Sequence, residues 1–397
     1  MHHCAPIRIN RSAAETCDIF DEASADAELE RSVRDIYQPL VEKIQWVTER
    51  NNTVKLSLAI DGYTLSALVR CAPAFVDKVK ELSSSKSVEW LSVPYNNSLS
   101  IFYSDDAFKE EVARTRELLS SHFGVQSPVL LAAPAFEPGM VGLAPSMGFR
   151  GVVLNSELSN AYPVTFDRGE DLVVFATDPI ISEAVTRRFG AGEAALTVNE
   201  LIAMINRAPG DTVVLGFPLD IFKWHREASV QEFFQEFLTV AANNGQLFHP
   251  TDLIDRIRGN EATTLRQPPR LVSNSPCWLG NDLQRRAFMA AKELDEATGE
   301  LVDSSSRHML MQLLNARHFA HMSHSDEDLV SPYVSPQEAF IFYMDALNYL
   351  RTRISGEPVK EDDKAPRIVE AERQHPTTPA WALNEQSRYK ENTHSHI

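Results

Sequence analysis

Two acidic side chains stand where bond-breaking chemistry could use them. Glu137 follows the apolar run 128–133, inside Pro134-Ala135-Phe136-Glu137-Pro138-Gly139. Asp220 follows the run 211–217, inside Pro218-Leu219-Asp220-Ile221-Phe222-Lys223-Trp224-His225. Two carboxylates facing each other across one pocket can open a glycosidic bond. One attacks or stabilises the sugar cation while the other protonates the leaving oxygen. Acids at strand ends also serve as loop residues, turn residues and helix caps, and spacing alone favours that ordinary use.

Other residues offer recognition chemistry. Trp90, Tyr95, Trp224 and Trp278 carry flat faces of the kind that stack on a sugar ring, although such rings more often fill a core. His2, His3 and His225 fall near strand ends and could hydrogen-bond hydroxyl groups, but their spacing matches no metal-ligand set. Asn96 and Asn97 follow the run 87–93. His318, His321 and His324 recur every third residue along one helix face, with no acidic neighbour before Asp326. A metal there would lack an anionic ligand. No metal and no cofactor is expected. The chain holds no GxSxG, HExxH, P-loop or helix-opening GxGxxG, the short motifs that would have fixed a chemistry outright.

The elements that must hold these residues alternate along the chain. The runs 54–60, 87–93, 128–133, 151–155, 171–176, 211–217 and 246–249 are apolar and short, with a weaker run at 6–10. Continuous apolar strands belong to parallel sheets covered on both faces. Amphipathic stretches lie between them. Thr197 and Glu200 form a capping box before 201–206, which Pro209-Gly210 ends. Ser229 and Glu232 open a helix carrying Phe233, Phe234, Phe237 and Leu238, stopped by Asn244-Gly245, and 108–123 ends at Gly124. These start and stop signals have known physics, and strand–helix alternation with seven or eight strands predicts a parallel barrel over 1–259. The proline-bearing stretch 260–276 reads as a linker. Helices are predicted over 282–294, 304–322 and 336–354, inside a helical C-terminal domain spanning 277–354. Ser335-Pro336-Gln337-Glu338 is a capping box with proline at the first helical position. The polar stretch 355–397 reads as a mobile tail, with Trp381 and Leu383 as a docking point for a protein partner.

Composition bounds the partners. Of 397 residues, 38 are basic and 55 acidic, a formal charge of −17. No basic stripe awaits a phosphate backbone, so no nucleic acid is expected, and a neutral or cationic ligand suits the chain better than a polyanion. No apolar run is long enough for a membrane span and no leader pattern opens the chain, so no membrane partner and a cytoplasmic location are expected. Cys4, Cys17, Cys71 and Cys277 are scattered and read as reduced thiols.

Several ordered segments together resemble glycoside hydrolase family 57, and within it the α-amylase-like branch. His3-Cys4-Ala5-Pro6-Ile7-Arg8 stands at the family's N-terminal histidine motif. Leu56-Ser57-Leu58-Ala59-Ile60-Asp61-Gly62 with Leu65, Val88-Glu89-Trp90-Leu91 with Tyr95, and Met147-Gly148-Phe149-Arg150-Gly151 are similar to its barrel motifs. The C-terminal match is sharper. Trp278-Leu279-Gly280-Asn281 with Leu283-Gln284, His318-Phe319 with Met322, and Ser331-Pro332-Tyr333 followed by Ser335-Pro336-Gln337-Glu338-Ala339-Phe340-Ile341 resemble motifs of the helical part. The resemblance spans roughly residues 1–350. It implies an α/β fold, an irregular parallel (β/α)7-type barrel followed by a C-terminal helical bundle domain and a polar tail. It also implies an α-glucan or oligosaccharide ligand, with His3, Trp90, Tyr95, Asn97, Trp224, His225, Trp278 and His318 at the sugar site.

The positions that carry the family's chemistry depart from its pattern. The nucleophilic glutamate falls at Ala133, upstream of Glu137. The acid/base aspartate falls at Pro218, with Asp220 on the following glutamate, and His225 alone is kept. Val93 stands for a glutamate, Asn97 for a histidine and Arg317 for an aspartate. A retaining glycosidase without a carboxylate nucleophile and an acid neither forms its covalent intermediate nor expels its leaving group. The expectation is a catalytically impaired or inactive relative that binds α-glucan or a protein partner. An active hydrolase or 4-α-glucanotransferase, with Glu137 relocated as nucleophile and Asp220 as acid/base, is the alternative. A structural or assembly protein on the same scaffold is the second.

Overall fold

Side chains alternate across a strand, so a strand apolar at every position needs an apolar partner on each face. The computed structural model describes residues 2–3, 7–10, 18–132, 135–154, 164–167, 171–188, 196–208, 212–216, 218–219, 221–224, 228–259, 273–299, 303–323 and 331–355. The apolar runs become β1 (His2–His3), β2 (Leu56–Ile60) and β3 (Val88–Leu91), paired in that order, and β4 (Val129–Ala132), β5 (Gly151–Leu154), β6 (Val164–Asp167) and β7 (Leu172–Ala176), ordered β4-β5-β7-β6. Every pairing is parallel except the β6–β7 hairpin. Ser92 joins the two sheets, donating its N–H to the Val129 carbonyl at 2.9 Å and accepting from the Leu131 N–H at 2.8 Å. Past β7, Thr177 pairs in parallel with Val214. The sheet therefore curls from β1 round to residue 214, and no pairing among the described residues closes it. This is an open, irregular barrel of the (β/α)7 type.

The first layer of helices comprises α1 (Glu22–Ser32), α2 (Gln38–Arg50), α3 (Gly62–Cys71), α4 (Pro73–Ser83), α5 (Asp105–Phe123) and α6 (Gly139–Ser146). A π-helical turn at Val33–Tyr37 joins α1 to α2. Then come α7 (Pro179–Arg188), α8 (Val198–Arg207), α9 (Ile221–Trp224), α10 (Ala228–Asn243) and α11 (Pro250–Gly259). The expected capping box of Thr197 and Glu200 opens α8. Beyond 260–272, the part of the expected 260–276 linker that lies outside the described residues, stand α12 (Ser275–Leu279), which begins inside that expected linker, α13 (Asp282–Thr298), α14 (Ser304–Leu313), α15 (Ala316–Ala320) and α16 (Pro336–Ser355). No described helix is long and apolar enough to cross a membrane. The expected tail, 355–397, lies outside the described residues beyond Ser355.

Three packed clusters follow from the strand alternation. Ala59, Leu91, Val93, Val129, Leu131, Val153, Val173 and Phe175 point into the barrel, where Ile254 of α11 joins them. At Gly151 a β-carbon would come within 2.8 Å of Ile254 Cδ1, so the glycine lets α11 seat against the amino ends of the strands. Val88 and Trp90 point outward among α2–α5. Leu130, Ala132, Val152, Leu154, Leu172 and Val174 also point outward, into a cluster that includes Ala287, Phe288, Phe319, Tyr343 and Leu347 of the C-terminal helices.

Four expectations need correction. Residues 246–249 form no strand. The Gln246 N–H closes α10 by donating to the Ala241 carbonyl at 3.0 Å, and the His249 N–H donates to the Asp252 carboxylate at 3.3 Å at the start of α11. Both ends of the run thus serve helices. The run 6–10 gives only an isolated antiparallel bridge, Ile9 to Phe20, and 211–217 only the bridge at Val214. The single helix expected over 304–322 is broken at Asn315. That residue leaves the helix and its side chain accepts from the Arg317 N–H at 2.8 Å, starting α15 afresh.

Candidate functional site

Parallel barrels carry their chemistry at the carboxyl ends of the strands. At the end of β2, Asp61 is buried and caps α3. It accepts from the Thr64 N–H at 2.7 Å, the Thr64 hydroxyl at 2.9 Å and Asn97 Nδ2 at 3.1 Å. Asn97 sits in the turn after β3 at φ +50°, a region that asparagine enters more readily than most residues. Its neighbour Asn96 donates Nδ2 to Glu111 Oε1 at 3.0 Å, and Asn315 donates its side-chain amide to the Asn96 carbonyl. The loop after β3 is thereby clamped between α3, α5 and α15.

Glu137 lies past the end of β4, half-buried. Its carboxylate makes no hydrogen bond or ion pair among the described residues. The loop that carries it is held by Asn274: the Phe136 N–H donates to Asn274 Oδ1 at 2.7 Å, and the Asn274 N–H donates to the Phe136 carbonyl at 3.1 Å. This brings the approach to α12, and with it Trp278, against the loop after β4. Gln284 then ties α12 to α15, donating Nε2 to the carbonyls of Cys277 at 3.2 Å and Phe319 at 3.0 Å.

Around α15 several buried polar atoms have no partner among the described residues: Trp278 Nε1, His318 Nε2, His321 Nδ1 and the Tyr343 hydroxyl. Such atoms are uncommon and mark places where a ligand or water can be taken. His318 is 2% exposed, with its ring 6.0 Å from that of Tyr343. Burial pulls its pKa down to about 4, aided by Arg317 and opposed by a hydrogen bond to the Gln312 backbone. The imidazole is therefore neutral at pH 7.

Other expected site residues are placed differently. Trp90 lies on the outer face of β3, stacked on Phe123 at 4.8 Å, and its indole N–H donates to Ser83 Oγ at 2.9 Å. That is core packing, on the face of the strand away from the barrel interior. Tyr95 is buried under the Arg114 guanidinium, 3.9 Å from its ring, and its hydroxyl pairs with that of Ser66 at 3.0 Å. His3 is the last residue of β1 and Trp224 the last of α9. Ala133, Asp220 and His225 lie outside the described residues, so the expected carboxylate pair has only Glu137 placed. Asp178, at the end of β7, caps α7 through the Ile181 N–H at 2.9 Å. No group of three His, Cys, Asp or Glu among the described residues suits a metal ion. Cys71 and Cys277 form no disulfide among the described residues.

Asp61, Glu111, Asn274 and Asn315 shape this region without having stood out in the sequence. Asp61 carried a usable signal, an acid three residues before Thr64 at a strand end, which is an N-cap pattern. Glu111, an acid inside a helix, carried none.

A helical bundle grown onto one flank of an open parallel barrel defines the class. The family model of glycosyl hydrolase family 57 matches residues 8–266, well over half of the chain, and the chain belongs to that family. No curated protein matches it in sequence. Among solved structures, the branching enzyme of this family from Pyrococcus horikoshii superposes with a TM-score of 0.62 at 11% identity, over 100% of this chain and 94% of that one. The α-amylase AmyC from Thermotoga maritima gives 0.59 at 11%, covering 91% and 94%. The 4-α-glucanotransferase from Thermococcus litoralis gives 0.61 at 12%, covering 89% of this chain and 58% of that one. The chain thus spans little more than half of the glucanotransferase. At such identities the likeness is one of fold.

Proposed function

We propose that this chain binds α-glucan at the carboxyl ends of its barrel strands without turning it over. One observation supports this most directly. Among the described carboxylates at those ends, Asp61 and Asp178 cap helices. A carboxylate bonded to backbone N–H groups is stabilised as the anion and committed in position, which suits it poorly to attack carbon or deliver a proton. The residue after β4 is Ala133, and Pro218 occupies the position read against the family's acid. Retaining cleavage needs a nucleophile and an acid on opposite sides of the bond, while binding needs neither. Trp278 Nε1 can donate to a sugar hydroxyl and neutral His318 can accept from one. The activities named for the structural relatives support α-glucan as the ligand class.

The test uses maltoheptaose and soluble starch. Calorimetry is expected to show saturable maltoheptaose binding, with no new reducing ends and no transfer products on either substrate. Trp278→Phe, which removes the indole N–H and keeps an aromatic ring, is expected to weaken binding by about 1 kcal/mol, the usual worth of one hydrogen bond. Turnover that disappears in Glu137→Gln would overturn the reading.

A specific feature favours a second reading, an active enzyme. Glu137 is half-buried with its carboxylate unengaged among the described residues, on a loop fixed beside α12. With Asp220 it could form a nucleophile and acid/base pair if the carboxyl groups stand about 5–5.5 Å apart. A crystal structure with bound maltooligosaccharide that separates them by more than ~10 Å rejects this on the same geometry.

A further inference from the structure

A groove of about 510 Å³ runs between the amino-terminal half of α5, the loop after β3 and the first turns of α14. It shares no residue with the group formed by Glu137, Asn274, Trp278 and His318. Its volume lies within the range of small-molecule sites, roughly 300–1,000 Å³. Its walls mix polar groups with a comparable share of apolar surface.

The charges in the groove are already matched. Arg307 pairs with Asp295 at 3.0 Å and with Glu110 at 3.5 Å. Arg114 lies over the Tyr95 ring, with Nη1 3.2 Å from His308 Nδ1. Glu111, 4% exposed, takes the Asn96 amide at 3.0 Å. Arg114 and Arg307 stand against Glu110 and Asp295, and burial pushes the Glu111 carboxyl up to about 7, so little net field is left to gather a free anion or cation. What the groove presents is a set of fixed donors and acceptors. Arg114 and Arg307 donate, the hydroxyls of Ser304 and Ser305 do either, and Asn96 Oδ1 is a buried acceptor with no partner among the described residues. Asn96 itself is only 2% exposed, so this oxygen is held in place by the fold. Apolar contact comes from Tyr95, Ala107 and Met311, the kind of surface that the C–H faces of a sugar ring can meet.

We infer that this groove is a second ligand site, for a neutral hydroxyl-rich molecule of one or two sugar rings that bridges the barrel and the helical bundle. A ring hydroxyl donates to Asn96 Oδ1, and others accept from the arginines and exchange with the serines. Because Asn96 precedes Asn97, whose side chain bonds Asp61, occupancy of the groove bears directly on the loop after β3. The groove takes Tyr95 from the residues expected at the sugar site but none of Glu137, Trp278 and His318, so its occupancy is read apart from theirs.

The experiment is a backbone-amide NMR titration of the full chain with maltose and, separately, with inorganic phosphate. Maltose is expected to give saturable shifts at 95–96, 110–114 and 304–308. Ser305→Trp fills the groove from an exposed position and should weaken those shifts roughly tenfold or more, the scale set by losing about 1.4 kcal/mol. Should that variant fold poorly by its own melting curve, His308→Leu is expected to act in the same direction. Trp278→Phe leaves the groove shifts unchanged. The proposal is overturned if maltose moves no groove amide, whatever it does at 136–137 and 273–278. Phosphate saturating the groove more tightly than maltose overturns it as well, since that would make it an anion site.

Discussion

Glu89 sits on the inward side of β3, close to the amino end of the barrel. It accepts from the Thr251 hydroxyl at 3.1 Å and the Thr251 N–H at 3.4 Å, while its other oxygen has no partner among the described residues. Burial pushes its carboxyl up to about 7, against the lowering effect of Thr251. The sign of the consequence is fixed. An unfolded glutamate titrates near 4.3, so between about 4.3 and 7 the folded chain holds more protons than the unfolded one. Stability from this group falls as pH rises through that window, and the loss is complete above it. His308 and His318, pulled down to about 4 by burial first of all, act oppositely between about 4 and 6.5. The wild-type slope therefore mixes both effects, and only a difference isolates Glu89. Glu89→Gln keeps an acceptor for Thr251 and removes the titration. Its stability relative to wild type, read from the melting temperature, is expected to climb from about pH 4.5 to 7 and level off above, by on the order of 3–4 kcal/mol. An offset that stays constant with pH, measured by differential scanning fluorimetry across that range, would refute the assignment.

At the scale of elements, the retained C-terminal motif has a mechanical explanation. Asn281 and Gln284 form a capping box that opens α13, and Asn281 Nδ2 also donates to the Met322 carbonyl at 2.9 Å. Gly280, one residue earlier, lies so close to the Pro276 carbonyl oxygen that a β-carbon would clash with it. That obstacle is backbone and does not swing aside. Gly280→Ala is therefore expected to lower stability by about 1–3 kcal/mol, in the range of overpacking, and denaturant melts would show it as a lower midpoint at unchanged m-value. These local rules explain what could be read from the chain. Parallel strands advertised themselves as unbroken apolar runs, and α8 and α16 through their capping residues. The run 246–249 looked like a strand because apolarity alone does not reveal that its N–H groups close one helix and start another. The β6–β7 hairpin is antiparallel at the edge of the sheet, and no apolar run marked β6. Trp90 was legible as an aromatic but not as a face, since one residue of register decides whether it meets the interior or α4 and α5. Glu111 and Asn96, which line the groove, become partners only when α5 folds over the loop after β3, a contact that no spacing encodes.

At the scale of the whole molecule, the helical bundle and the barrel are one hydrophobic body. The outward faces of β4, β5 and β7 share a cluster with α13–α16, in which Tyr343, Ala346, Leu347 and Leu350 of α16 are 0% exposed. Burying a large apolar side chain is worth roughly 1.5–3 kcal/mol. Tyr343, Leu347 and Leu350 together therefore contribute on the order of 5–9 kcal/mol, comparable with the roughly 5–15 kcal/mol by which whole domains are stable. Loss of α16 would also bare the faces of α13 and α14 that it covers, and through them the flank of the barrel. The full chain is accordingly expected to unfold in one calorimetric transition, with van't Hoff and calorimetric enthalpies agreeing. A chain ended at Ser335 is expected to lose the cooperative melt altogether, barrel included. The reading fails if that shortened chain keeps a sigmoidal thermal transition and near-ultraviolet circular dichroism, since the barrel would then stand without the bundle. Two separated transitions in the full chain would contradict it in the same way. Glucan bound where α12 and α15 meet the β4 loop should raise the single transition as a whole, because it would tie together parts that already unfold as one.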